Sequence, residues 1–496
     1  MTKFFSTRNE NEIITGPQAI IRGIATDGGL YVPDRFRNID YILKMDGSYC
    51  ELCLEILKSF FPELELKNDI EKAYSKFYKN PPAQLEKLGD RYILELYHGP
   101  TSAFKDFALV VLPHLMKRSK ELEGNDEKTV ILTATSGDTG KAALEGFANI
   151  EESKIKDISI VVIYPQDGVS DVQKRQMITQ EGDNVHVIGI KGNFDHAQTA
   201  VKEIFADKKL SEELRENGIS FSSANSINIG RLVPQIAYYF HAYKELLSRG
   251  EIATGEKISF CVPTGNFGDI LAGYYAKKMG LPVDKLVCAS NENNVLVDFF
   301  ESGKYDKKRE LQCTASPSMD IVISSNLERL LYHMSGSTQK VAKWMKALNE
   351  NGEYTIFGDD EDANNSYREV LDSFASGTAG KNQSYEAIRT VFEEYSYLMD
   401  PHTAVAYHVA LEQKTKSKMV ILSTASPFKF ASSVCEALGL KTDVADEFEM
   451  LKLLSRESGC EIPKPLQNLD QKPVLHSLYI DKEEIKNTIR NLLLEK

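Results

Sequence analysis

Two stretches of this chain, 129–147 (TVILTATSGDTGKAALEGF) and 257–280 (KISFCVPTGNFGDILAGYYAKKMG), follow one order: an apolar, β-branched run, a glycine-broken turn, and the start of an amphipathic helix. Strands this apolar are buried on both faces, the condition of parallel sheets covered by helices. In such sheets ligands collect beyond the carboxyl ends of the strands, where both glycine turns fall.

The same alternation extends along the chain. It predicts strands at 91–96, 129–135, 158–164, 185–190, 219–222, 258–262, 285–289 and 419–423. Helices are expected at 106–122, 139–149, 170–181, 195–206, 231–249, 269–279, 326–334, 338–349, 384–398 and 403–413. The fold class is therefore α/β, with two open, mostly parallel sheet domains expected at 91–256 and 257–496. Residues 1–90 read as a separate helical and loop region, with amphipathic helices at 50–61 and 69–78 and a boundary at Pro81-Pro82. The acidic, then small and polar stretch 357–382 reads as a surface insertion.

The chemistry centres on a third turn. An apolar run at 93–96 breaks at Gly99-Pro100, and Lys105 follows just before the apolar segment FALVVLPHL, at a strand-to-helix handover. Gly265, Asn266, Phe267 and Gly268 offer backbone N–H groups at the positive end of the helix that starts at Asp269 and closes with Lys277, Lys278 and Gly280, which makes an anion cup. A buried amine, one anion loop for a phosphate and another for a carboxylate together match the needs of a pyridoxal-phosphate enzyme.

Competing readings fail on spacing. GDTGKAA is no P-loop, because Thr135 stands where a glycine is required and Ala142 where a hydroxyl is required. His402 and His408 are six apart, which does not place them on one helical face, so no metal is expected. The seven cysteines are scattered and odd in number, unlike a disulfide framework, and Cys50 and Cys53 read as buried thiols in a helix. A net charge of −13 argues against nucleic-acid and anionic-membrane partners. With no apolar leader or spanning segment in view, a cytoplasmic location is expected.

The chain also resembles the β-family, or fold-type II, of pyridoxal-phosphate enzymes and, within it, the threonine synthase family. The matching pieces are STR at 6–8, ATDGGLYVP at 25–33, LYHGPTSAFKD, TATSGDTGKAA, NSINIGRLVPQ at 225–235, PTGNFGD, SPSMDI at 316–321, SSNLERLL at 324–331, DPHTAVA at 400–406 and STASPFKF at 423–430, in the family's order. Ser426 departs from the family's frequent histidine, which bears on the contacts of that loop more than on the reaction.

The resemblance implies pyridoxal 5'-phosphate on Lys105, its phosphate on Gly265, Asn266, Phe267 and Gly268, and a neutral hydroxyl, Thr424, facing the pyridine nitrogen. It implies O-phospho-L-homoserine as substrate, its carboxylate on Thr135, Ser136, Gly137, Asp138 and Thr139. The candidates for the substrate phosphate are Lys141, Ser226, Asn228 and Arg231, the last as a bidentate fork. The products would be L-threonine and phosphate, made by a monomer or homodimer. Two alternatives stand beside this: a related dehydratase or phospho-lyase releasing a keto acid and ammonia, and a catalytically silent binding protein of the same fold.

Overall fold

The computed structural model describes residues 2–135, 137–148, 158–166, 169–192, 194–441 and 446–494. Among them two sheets dominate. The larger has six strands in the order Phe374–Thr378, Val283–Ser290, Ile258–Pro263, Met419–Ser423, Arg91–Glu95 and Gln84–Leu88, parallel except for the last, antiparallel pair. The smaller has five parallel strands, Tyr479–Asp481, Val185–Lys191, Ile158–Pro165, Lys128–Ala134 and Ile219–Ser222.

Burial explains why these segments are strands. Every residue of Ile258–Pro263 and of Ile158–Pro165 is buried, so both faces of each strand lie under helices. Val130, Ile131 and Leu132 are completely buried, each contributing about 1.5–3 kcal/mol of apolar burial.

The strand pairing crosses the division expected from sequence at both ends. Arg91–Glu95 pairs with Met419–Ser423 of the larger sheet, while Tyr479–Asp481, near the end of the chain, joins the smaller one. Phe374–Thr378, inside the stretch read as a surface insertion, is instead the edge strand of the larger sheet, anchored by buried Phe374. In the N-terminal region the turn at Gly28-Gly29 enters a short strand, as LYVP in the sequence suggests, and two further strands, not expected from sequence, lie beside it. Asn9–Thr15, Lys3–Ser6 and Tyr31–Pro33 form an antiparallel sheet beside the helix Gly16–Arg22, which Thr15 and Gln18 close with a capping box. No described helix is long and apolar enough to cross a membrane.

Candidate active site

Five loops at the carboxyl ends of strands from both sheets open into one cavity of ≈ 1410 Å³, lined among others by Lys105, Thr135, Asp138, Ser226, Arg231, Gly265, Asn266 and Thr424. This is the position that parallel α/β sheets give their ligands.

The Lys105 turn is tied to the loop after Met419–Ser423. The N–H of Phe104 donates to the Thr424 carbonyl at 2.8 Å, and the N–H of Ser426 donates to the Ser102 carbonyl at 3.1 Å. Asp106 braces the turn from below, accepting from the Thr101 N–H at 2.8 Å and hydroxyl at 2.6 Å. Burial raises the Asp106 carboxyl to about 6, against those two bonds. Lys105 itself is enclosed, and burial lowers its amine to about 8. Asp138 at 3.7 Å pulls the amine back up, while Arg231 and Lys429 press it down.

In the second loop, the Thr135 hydroxyl accepts the N–H groups of Gly137 and Gly140 at 3.0 and 2.8 Å and starts the helix Asp138–Ala148. Gly137 has φ 141°, and a Cβ there would stand 2.5 Å from the Gln173 amide, so glycine is required twice over. Asp138 meets Lys429 Nζ at 2.5 Å and the Gln173 amide at 2.8 Å. Burial alone would raise this carboxyl, yet Lys429 and Lys105 outweigh burial and hold it far below the usual carboxylate range. Ser136 lies outside the described residues.

The third loop turns its carbonyls away from the cavity's centre. Ser324 Oγ donates to the Gly265 carbonyl at 2.7 Å, and the Asn326 side-chain amide to that of Asn266 at 3.0 Å. Phe267 adopts the left-handed conformation, φ 63°, held by its buried ring against Phe300 and Phe374 at 6.0 and 5.9 Å. A Cβ on Gly265 would stand 2.8 Å from the Ser318 carbonyl, so the loop passes under the 316–319 turn too closely for any other residue. His402 fixes that turn. Its Nδ1 lies 2.7 Å from Asp400 and its Nε2 accepts the Ser318 N–H at 3.2 Å, so it is a structural histidine.

Arg231 is buried beside this cup. One guanidinium nitrogen donates to the Ala224 carbonyl at 3.0 Å, Nε has no partner, and among the described residues no carboxylate lies within ion-pair distance. Burial lowers it to about 10. A buried, unneutralised guanidinium with a free donor is a site for an anion.

Three sequence candidates are placed outside the lining: Gly137, whose N–H is taken by the Thr135 hydroxyl, Lys141 and Asn228. Lys141 turns to Glu145 at 3.3 Å and to Gln180, away from the cavity lining, because its position on the helix faces outward from the cleft. Asn228 caps the helix Ile229–Leu232, its carbonyl accepting from Gly230 at 2.9 Å and its amide donating to Ile20 and Ser223, so it too is absent from the lining. Ser226, Thr139, Phe267, Gly268 and Thr424 do line it. Ser426 is buried and accepts the Phe428 N–H at 3.3 Å as a local cap. Sequence reasoning missed Lys429, Gln173 and Asp269. Lys429 lies inside STASPFKF, and its flanking phenylalanines were the available signal of a buried cation.

Comparison with known proteins assigns this arrangement to a family. Residues 81–425 match the family described as pyridoxal-phosphate dependent enzyme, residues 3–74 the threonine synthase N terminus, and residues 403–472 the threonine synthase C-terminal family. Threonine synthase of Pseudomonas aeruginosa is 38% identical over 93% of this chain and 95% of its own. Threonine synthase-like 1 of Pongo abelii is 39% identical over 86% of this chain, which spans 58% of that relative's length. The crystal structure of PLP-bound threonine synthase from Brucella melitensis superposes with a TM-score of 0.85 at 34% identity, covering 99% of each chain. The donor set fits that cofactor: an enclosed amine at Lys105, a cradle at Gly265 with no room for a Cβ, and the Thr424 hydroxyl in the same cavity. The chain belongs to the threonine synthase family of fold-type II, pyridoxal-phosphate-dependent enzymes.

Proposed function

We propose that this protein converts O-phospho-L-homoserine and water to L-threonine and phosphate. The observation that carries the reading is the unpartnered Nε of Arg231, an anion site additional to the glycine cup and in the same cavity as Lys105. A buried arginine with a free donor beside the cup suits a second anionic group, such as the phosphate of a phosphorylated amino acid.

Gly265, Asn266, Phe267 and Gly268 hold the cofactor phosphate through backbone N–H groups and the helix dipole. Thr424 offers a neutral partner to the ring nitrogen. When bound, the cofactor supplies the electron sink for charge developing on the substrate's carbon chain. Thr135 and Thr139 receive the substrate carboxylate at the other helix N-terminus, on the turn that Gly137 shapes. The Lys105 amine, lowered to about 8, is poised near neutral pH to take protons from Cα and Cβ and to return them at Cγ, which becomes the methyl carbon, and at Cα. Arg231, with Ser226 beside it, holds the γ-phosphate and grips it more strongly as the Cγ–O bond breaks and charge builds on the departing group. Water then contributes its hydroxyl to Cβ.

The chemistry supports a small-molecule substrate, and a charge of −13 argues against a nucleic-acid or anionic-membrane partner; we take the protein to be a cytoplasmic monomer or homodimer. The test is a product assay with phosphohomoserine and the loaded enzyme. Threonine and phosphate in equal amounts are expected; a keto acid with ammonia, or no turnover, overturns the assignment.

A further inference from the structure

Lys429 is a lysine whose side chain is completely buried. Its ammonium reaches two elements at once: Asp138 Oδ1 at 2.5 Å on the smaller sheet's first helix, and the Thr101 carbonyl at 3.0 Å on the turn that carries Lys105. Lys429 itself follows the strand Met419–Ser423 of the larger sheet. It therefore ties an element of the larger sheet to one of the smaller sheet, directly behind Lys105 and Asp138.

The carboxylate it touches is also the nearest anion to Lys105, at 3.7 Å. A buried carboxylate with a single lysine partner forms a tight ion pair and keeps that lysine protonated. A protonated amine cannot attack an aldehyde. With Lys429 at 2.5 Å and the Gln173 amide at 2.8 Å on one oxygen of Asp138, the carboxylate has partners besides Lys105, which faces the other oxygen at 3.7 Å. We propose that Lys429 is a positioning residue, the standing counter-ion of Asp138, which leaves the Lys105 amine free to lose its proton and capture the cofactor.

The charged groups facing Lys105 are Asp138, Arg231, Lys429 and Asp269. Two are cations and two are acids, so removing one cation tips the balance towards protonation. The burial-lowered amine, at about 8, agrees with this count. The inference needs only the cofactor of the family and does not rest on the substrate or reaction proposed above.

The test uses the full chain freed of cofactor. The rate at which it recaptures pyridoxal 5'-phosphate is followed by absorbance from about pH 6 to about pH 10, a span that brackets the amine. Titration of the reagent itself is common to all variants and cancels between them. Lys429→Met should move the midpoint of the profile up by about one pH unit, slowing capture at neutral pH about tenfold, since one unit is tenfold in the neutral fraction. Lys429→Arg should restore most of the natural profile. A folded Lys429→Met with an unmoved midpoint, or an arginine variant displaced as far as the methionine one, overturns the proposal. If Lys429→Met fails to fold, the double variant Asp138→Asn/Lys429→Met removes both charges and leaves none uncompensated. Its midpoint should match that of the natural chain. A fall of about one unit would mean that Asp138 acts on Lys105 unopposed, and the proposal would be wrong.

Discussion

Two helix N-termini open into the one cavity, at Asp138–Ala148 and Gly268–Lys278, and each is reached by a buried strand, a glycine turn and an aspartate. The acids have opposite surroundings. Asp138 lies between Lys429, Lys105 and Gln173 and is held charged. Asp269 accepts from Tyr238 at 2.6 Å and Tyr239 at 2.9 Å on one oxygen, the other is unpartnered, and burial raises it to about 6. A helix dipole and glycines therefore do not decide what each end binds. At the first, side-chain cations set the field; at the second, the backbone does, beside an acid that burial pushes towards its neutral form.

The sharpest way to break this comparison is at the amine both ends serve. Borohydride reduction should fix the cofactor to the peptide containing Lys105, and Lys105→Ala should lose turnover by at least roughly a thousandfold, in the range of a positioned acid–base group. Label on any other peptide removes Lys105 from the centre. Next in size, Arg231→Leu should retain cofactor uptake but lose phosphohomoserine turnover by about 10- to 100-fold, since a charge-assisted bond contributes about 1.5–3 kcal/mol. Arg231→Lys should recover part of it, because a point charge cannot reproduce the fork. Phosphate release decides: a leucine variant with near-normal rates makes Arg231 a structural residue.

The central strands of both sheets were legible because runs such as VILTA and ISFCVP are apolar throughout, and the glycine turns marked which strand ends to look at; the outer strands Gln84–Leu88, Phe374–Thr378 and Tyr479–Asp481 were not. Nor was the grouping of the strands. Arg91–Glu95 finds its partner at Met419–Ser423, and no local pattern carries that distance. Phe374–Thr378 offers one large apolar side chain in FASGT, and Asn9–Thr15 is rich in charge and amide because much of it faces water, so neither read as a strand. The site divided the same way. Lys105 and the glycines announced themselves by turn chemistry and Arg231 by the family resemblance, whereas Lys429 went unread because its pairing with Asp138 exists only in space.

The backbone cup can be sharpened further, because its two glycines are unequal. A Cβ on Gly265 would stand 2.8 Å from the Ser318 carbonyl and 3.3 Å from Met319 Cα, both backbone atoms held by the His402 contact. On Gly268 the nearest atoms are Ser226 Cβ at 3.4 Å and the Asn326 amide at 3.5 Å, ordinary contacts. Gly265→Ala should cost about 1–3 kcal/mol of stability through overpacking, with visible loss of cofactor on dialysis. Gly268→Ala should melt with the natural protein, so any cofactor it sheds reports crowding of the phosphate alone. Equal melting of the two variants would show that the 316–319 turn yields, and that the cup is softer than its contacts imply.

The smallest effect tests the acids themselves, whose linkage to pH has opposite sign. The folded pKa of Asp269, about 6, lies above its ordinary value of 3.8, so between those limits the native state holds a proton that the unfolded chain has lost. Its contribution is present at low pH and is lost as pH rises through that window. Asp138, held below the ordinary range, contributes in the other sense: its share is present at neutral pH and is lost on acidification. Asp269→Asn keeps an oxygen for Tyr238 and Tyr239 but removes the charge. It should therefore melt slightly above the natural protein at neutral pH, by about 1 kcal/mol or one to two degrees, and the gap should close as pH falls from about 6 towards 4. Melting curves of both proteins across that range, loaded with cofactor, measure it. A gap that is flat with pH, or that widens on acidification, would mean that Asp269 is charged throughout and that the two helix ends are electrostatically alike.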